Sequence, residues 1–196
     1  GISLENGDNF NLGFMDIYEY LADDARISGA TVPVGQYDFQ GVQGGYSFGP
    51  QRRVSASISA RRGGYYSGTL TSFGIGNGRI EILPELTLQP SIAFNWIDLP
   101  ELQETEGEFN QHVARARLTY SFTPRMFTSA LVQYNSGSDT FSVNARLRWE
   151  WAPGSELFIV YTEARDTDPV FLDGRDRWSE LSNRALVVKV NRLFRL

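Results

Sequence analysis

Cysteine is absent from this sequence of 196 residues, and histidine occurs once, as His112. Without cysteine there is no disulfide framework and no thiolate metal site. A lone histidine disfavours the paired base and nucleophile on which hydrolases depend. No apolar run approaches the roughly 20 residues of a membrane helix. The 18 basic residues are outnumbered by 23 acidic ones, which argues against a nucleic-acid partner. We therefore expect no enzyme, no cofactor and no metal centre.

One alternating stretch, residues 141–151, has the sequence FSVNARLRWEW. Because successive strand side chains point to opposite faces, one face of this stretch is apolar and the other is polar. Soluble strands typically contain about 5–6 residues, whereas about 9–11 cross a bilayer. The pattern therefore predicts a transmembrane strand. A soluble, lipocalin-like barrel with the apolar face turned inward is the alternative.

Similar segments alternate along the chain, separated by short turns and by longer, acidic loops. The other predicted strands are 10–21, 37–48, 54–61, 68–83, 86–99, 109–122, 126–135, 156–165 and 183–196. Loops are expected at 22–35 and from 63–64. Short turns at one rim and long loops at the other are typical of outer-membrane barrels. The sequence predicts an all-β protein, a transmembrane antiparallel up-and-down β-barrel domain over 1–196 with about ten strands.

The N-terminal residues 2–4 precede Asn6-Gly7, a strong hairpin signal. A hairpin needs a strand on each side, so this stub predicts the end of a strand. We expect the chain to be part of a larger barrel.

The polar phase of the predicted strands would line the lumen of such a barrel. Its members are Arg115, Arg117, Arg146, Arg148, Glu150, Lys189, Asn95 and Asn144. They could set the solute preference of an aqueous channel. They could also form a charge ladder that fills a narrow interior, as expected for a small barrel. The sequence leaves both readings open.

Aromatic residues near the strand ends predict a membrane girdle. They are Trp96, Tyr120, Phe122, Trp149, Trp151 and Phe194. The last strand carries an alternating apolar pattern, interrupted at Arg192, that predicts a signal for the outer-membrane assembly machinery. Its residues are Leu186, Val188, Val190, Phe194 and Leu196.

Three other groups suggest chemistry but have simpler interpretations. His112 falls in the outward phase near the extracellular rim, which favours an interfacial residue over a protease base. Two acidic loops, with Asp166, Asp168, Asp173 and Asp176 and with Glu101, Glu104, Glu106 and Glu108, favour solvated rims over a Ca²⁺ site. Trp178, in the longest loop, is the tryptophan that best fits ligand contact.

Two segments resemble a known family: YSFTPRMFTSALVQYNSGSDTFSVNARLRWEWAPGSELFIVYTEARDT at 120–167 and NRALVVKVNRLFRL at 183–196. They are similar to the C-terminal barrel of large bacterial outer-membrane proteins with an N-terminal domain like family 9 carbohydrate-binding modules. The motifs LVQYNS and WAPGSELFIVY carry most of the resemblance. It implies a bacterial outer-membrane location with a periplasmic C-terminus, but no substrate, because the barrel domain of that family has no known function.

We expect a porin-like channel or transporter component with a charged lumen, embedded in outer-membrane lipid. The alternative is a structural barrel that anchors or joins an envelope complex and contacts other envelope proteins. The solute, the total strand number, the oligomeric state and the partners do not follow from the sequence.

Overall fold

A computed structural model of the chain describes residues 1–27, 30–99, 108–168 and 179–194. Every regular element in these ranges is a strand. The strands are β1 (Ile2–Ser3), β2 (Asn9–Leu21), β3 (Ala25–Ile27), β4 (Ala30–Val32), β5 (Gly35–Ser47), β6 (Val54–Tyr65), β7 (Gly68–Leu83), β8 (Leu86–Asp98), β9 (Glu108–Thr123), β10 (Met126–Asn135), β11 (Thr140–Ala152), β12 (Ser155–Asp166) and β13 (Glu180–Asn191).

The strands of the main sheet follow one another in chain order, β1-β2-β5-β6-β7-β8-β9-β10-β11-β12-β13, while β3 and β4 form a separate two-stranded sheet. The all-β, antiparallel, up-and-down prediction is confirmed, and each of the ten long predicted strands is present. In the described ranges β1 and β13 are the outer strands of this sheet, and no ladder joins them.

The chain divides into two compact units. Unit 1 contains residues Gly1–Gly78, Ser91–Val113 and Ser136–Ser138. Unit 2 contains Arg79–Pro90, Ala114–Asn135 and Asp139–Leu196. Strands β7, β8 and β9 therefore contribute residues to both.

In unit 1, β2 pairs with β5 from Asn9↔Ser47 to Leu21↔Gly35 without a register shift. Glycines within a strand, such as those of β5, often mark strong bending or a bulge, but no shift occurs in the β5–β6 register either. Gly41 is instead paired with Gly63, and a Cβ added to Gly63 would lie 2.4 Å from the Gly41 Cα. These glycines allow two strands to approach closely.

The small core of unit 1 lies where the first loop meets the strands. Val32, Leu70, Ile97 and Leu99 are buried together, with Leu21, Tyr37, Tyr65 and Tyr66 packed against them. Val32 is 1% exposed and Leu99 is fully buried. The loop predicted over 22–35 therefore contains a short hairpin, β3–β4, whose last residue enters this core.

Unit 2 contains three consecutive ladders, β10–β11, β11–β12 and β12–β13. The β11–β12 register shifts between Glu150 and Ala152, which leaves Trp151 as the extra residue of a bulge. The β12–β13 register shifts between Ala164 and Arg165. Both irregularities are at strand ends, where bulges commonly occur.

Two predicted strand ends are wrong. Gly63 and Gly64 lie inside β6, and the chain turns afterwards at Tyr66, which has a φ of 50°. The last strand ends at Asn191 instead of continuing to residue 196. Asn191 is paired with Glu156, so β12 offers only its first residue, Ser155, beyond that pair. The Leu193 N–H donates to the Ser155 hydroxyl at 3.1 Å.

Candidate functional site

The polar row of β11 forms one face of unit 2. Asn144, Arg146 and Arg148 alternate with apolar residues, so they share a face. The Arg146 Nε donates to the Ser129 hydroxyl on β10 at 2.9 Å, and the Asn144 amide donates to the Thr162 hydroxyl on β12 at 3.0 Å. These lateral bonds hold the side chains of the row against the neighbouring strands.

Charge on this face is partly neutralised by acidic side chains. Arg148 forms a salt bridge with Glu156, and its guanidinium lies 5.9 Å from the centre of the Phe158 ring. Phe158 is paired across β12–β13 with Lys189, which places that lysine on the same face. Glu150 accepts a hydrogen bond from the Gly154 amide at 3.2 Å and so supports the following turn.

The opposite face of unit 2 is apolar. The register aligns Leu147 with Ile159 and Ile159 with Val188. Leu186, in the same phase of β13, is 66% exposed. Contiguous exposed apolar surface of this kind is typical of faces that contact another protein or a membrane.

On β12 this apolar face gives way to a charged cluster, while Val143 and Phe141 continue it on β11, opposite Glu163 and Arg165. Glu163 accepts hydrogen bonds from Tyr161, Arg165 and Arg184, the last at 3.0 Å. The cluster follows Leu157 and Ile159 along β12, so the same face changes from apolar to ionic within a few residues.

Unit 1 shows the same division of faces. On β2 and β5, Leu12 is 72% exposed, Phe14 is 66% exposed, and Val42 is paired with Phe14. The alternate residues Asn11 and Gln43 lie on the other face.

A cavity of about 220 Å³ lies on that polar face of unit 1. Its lining consists of Asn11, Gln43, Gly44, Ser59, Ala60, Arg61 and Ser72. Gln43 is paired directly with Arg61 across β5–β6. The Arg61 Nε is buried and has no hydrogen-bond partner. The sequence interpretation missed this site; the signal was the phase that Arg61 shares with Ser57 and Ser59.

Aromatic side chains pack together at the loop end of the polar face of unit 1. Tyr37 and Tyr66 have ring centres 5.1 Å apart, and Phe39 and Tyr66 have ring centres 5.7 Å apart. Burial, together with the negative charge of Glu19, raises the pKa of Tyr66 to about 12. Tyr66 therefore stays neutral at any ordinary pH.

A buried carboxylate fixes the turn at the other end of unit 1. Asp8 is 2% exposed and accepts hydrogen bonds from the Tyr46 hydroxyl at 2.6 Å, the Gly49 amide at 2.7 Å and Arg52 at 2.8 Å. The bonds from Tyr46 and Gly49, with the charge of Arg52, hold the pKa of Asp8 below its ordinary value of 3.8. These hydrogen bonds connect the turn that contains Asp8 to the turn that contains Gly49 and Arg52.

The remaining predicted lumen residues are less constrained. Arg115 and Arg117 are exposed on β9, and Asn95 is half-buried beside Ile97 of the core. The structure thus brings Asn144, Arg146, Arg148 and Lys189 to one face of unit 2, and it places Asn95 in unit 1.

The predicted girdle residues form close aromatic pairs. Trp149 and Trp151 have ring centres 6.1 Å apart, and Tyr120 and Phe122 have ring centres 4.7 Å apart. Except for Tyr120, each of the six predicted girdle residues has more than a third of its surface exposed. Phe194 is exposed beyond the end of β13 and lies under the Arg192 guanidinium, so it does not continue the strand.

Leu186, Val188 and Val190 share one face of β13. Their role in an assembly signal stays a prediction. Leu196 lies outside the described residues.

His112 sits among aromatic rings. Its ring centre lies 5.1 Å from that of Phe94 and 6.1 Å from that of Trp96, and its buried Nδ1 has no hydrogen-bond partner. Its backbone exchanges hydrogen bonds with Ser136. A nucleophile or carboxylate partner for His112 is absent from the hydrogen bonds of the described ranges.

Most residues of the two predicted acidic rims lie outside the described residues: Glu101, Glu104, Glu106, Asp173 and Asp176. Trp178 also lies outside them. The side chain of Glu108 is also outside them. Asp166 is described, and its side chain accepts a hydrogen bond from the Asp168 amide at 2.9 Å. Within the described part of the chain, no cluster of histidine or acidic side chains could hold a metal ion.

No protein-family model, no curated protein and no solved structure matches this chain. The resemblance of 120–167 and 183–196 to outer-membrane barrels therefore stays a prediction. None of the described residues forms a helix that is long and apolar enough to cross a membrane.

Proposed function

We propose that the chain forms a transmembrane β-barrel in a bacterial outer membrane and provides a polar, charged path for small solutes. The division of strand faces carries this proposal. More than twenty large apolar side chains are exposed in the described ranges, whereas five apolar side chains are buried. Such a surface is unfavourable in water, but lipid favours it on the outside of a barrel.

Strand length supports a membrane-spanning role. The long strands contain from 10 residues in β10 to 16 residues in β7 and β9. A tilted strand needs about 9–11 residues to cross the hydrocarbon layer. Each long strand is therefore sufficient to span a bilayer.

The polar faces would then line the lumen. In unit 2, Arg146, Arg148 and Lys189 would contribute basic side chains to this lining beside Glu150 and Glu156, with Glu156 paired to Arg148. In unit 1, Arg61 lies on the polar face. Rings of basic side chains favour anions. Outer-membrane lipid and the assembly machinery are the partners that this function requires, and the C-terminus would be periplasmic.

The test is conductance of the 196-residue chain in a planar bilayer. We expect ion conduction with anion preference, measured as a reversal potential in a KCl gradient. Arg146→Gln should reduce the anion preference. Arg184→Gln, which changes a charge on the opposite face, is the matched control. Verified insertion without conductance would contradict the channel proposal.

A second function is favoured by one observation, the core of Val32, Leu70, Ile97 and Leu99 with its tyrosines. This core covers the face of β2 and β5 that also carries Glu19 and Tyr37, opposite the exposed Tyr18 and Tyr20. A lumen filled in this way suits a structural barrel that anchors an envelope complex. Inserted protein without conductance would favour this role.

A further inference from the structure

We infer that the polar cavity of unit 1 binds a small hydroxy-carboxylate, with Arg61 as the group that anchors the carboxylate. The inference deepens the proposed function by naming a solute class, and it rests on that function in treating the cavity as facing the lumen. The cavity itself is formed by residues of unit 1 alone.

Arg61 has the chemistry of an anion-binding group. Its Nε is buried without a hydrogen-bond partner, and none of the salt bridges of the described residues includes it. A buried donor without a partner is unfavourable, since it has lost its water. A carboxylate matches the planar fork of a guanidinium with two parallel hydrogen bonds.

Other arginines on the polar faces differ from Arg61 in this respect. The Arg146 Nε donates to Ser129, and Arg148 is paired with Glu156. Both donors are therefore engaged by the protein itself. Arg61 is paired across the strands with Gln43, a neutral residue that forms no ion pair with it.

The rest of the lining favours a ligand with hydroxyl groups. Asn11 and Gln43 offer amide donors and acceptors, and Ser59 and Ser72 offer hydroxyls. Among the described residues, no acidic side chain and no large apolar side chain lines the cavity. Its volume of about 220 Å³ is below the roughly 300–1,000 Å³ of sites for drug-sized ligands, which indicates a small molecule.

Three glycines keep the space between these side chains open. A Cβ added to Gly45 would lie 3.1 Å from the Asn11 Nδ2, and one added to Gly74 would lie 3.2 Å from the Ser59 Oγ. At Gly13 a Cβ would lie 3.6 Å from the Gln43 side chain. Larger residues at the first two positions would displace groups that line the cavity.

Arginine side-chain NMR of the 196-residue chain in detergent micelles tests the inference. Protein labelled with ¹⁵N-arginine is titrated with sodium glycerate, and with glycerol as the neutral analogue. We expect a saturable shift of the Arg61 Nε–Hε resonance with glycerate. Glycerol should act at least tenfold more weakly, since it lacks the carboxylate.

Two neighbouring arginines provide a matched pair of variants. Arg61→Gln should remove the shifting resonance and weaken glycerate binding at least tenfold. Binding to this variant is measured from the resonances of the arginines that remain. Arg62→Gln should leave binding unchanged, because Arg62 is paired with Val42 on the opposite face. A preserved spectrum for the other arginines shows that each variant is folded.

The outcomes separate the site from the channel. No saturable shift, an equal response to glycerol, or undiminished binding by the Arg61→Gln variant would overturn the site, even if the protein conducts. Glycerate binding that depends on Arg61 in a protein that inserts without conductance would support the site and contradict the channel.

Discussion

The Asp8 carboxylate joins two separate turns by accepting bonds from Tyr46, Gly49 and Arg52. A carboxylate that accepts several hydrogen bonds is stabilised in its ionised form. The loss of this one side chain would leave a buried amide and hydroxyl without their acceptor. Among single residues, Asp8 therefore has the clearest pH-dependent role outside the strands.

Asp8→Asn should unfold at a lower urea concentration than the unchanged chain at pH 7. The Asp8 pKa is lowered on folding, so its contribution is present above its ordinary pKa of 3.8 and is lost as the pH falls through the lower folded value. The difference between the two proteins should therefore shrink below pH 3.8. Glu5→Gln, in the same turn, is the control. A difference that is constant down to pH 2 would contradict this account.

At the scale of elements, alternation predicted the strands well because one face differs so clearly from the other, as in β11. The β3–β4 hairpin was not predicted, since its strands contain three residues each and show no periodicity. The core around Leu99 also escaped prediction, because it depends on contacts between residues distant in the chain. The site at Arg61 was missed for the same reason: its partners come from β2, β5 and β7.

Close contact between β5 and β6 depends on glycine at Gly63. Gly63→Ala should destabilise the protein by about 1–3 kcal/mol, because the added Cβ would meet backbone atoms of Gly41 and Gln40. Gly76→Ala, in β7, has no atom within 4 Å of the added Cβ and should change stability by no more than about 0.5 kcal/mol. Urea unfolding in micelles measures both. Equal effects would show that the close approach is unimportant.

For the molecule as a whole, the sequence predicted which side chains share a face, and the registers of both units agree with that division for β2 and β11. Whether a face contacts water, lipid or other side chains depends on whether the sheet closes and on the solvent around the protein. The alternation of polar and apolar residues specifies neither. A lipocalin-like arrangement and a membrane barrel have the same pattern of alternation and differ in which face is dry.

Leu147→Arg tests the outward face directly. If lipid contacts this face, the charge should cost about 2 kcal/mol or more and reduce insertion into vesicles. Asn144→Arg, on the polar face of the same strand, should insert like the unchanged chain. Insertion is measured by resistance to added protease. Normal insertion of Leu147→Arg together with failure of Asn144→Arg would reverse the assignment of the faces.

If lipid contacts the apolar face of unit 2, the ionic cluster at Glu163 would lie at the interface between hydrocarbon and water. Leu157, which is paired with Trp149, and Glu163 are separated by about 20 Å along β12. An apolar segment this short matches a thin bilayer, and the bacterial outer membrane is thinner than average. In a thicker bilayer, the hydrophobic mismatch would be relieved by local thinning of the lipid or by a smaller tilt of the strands.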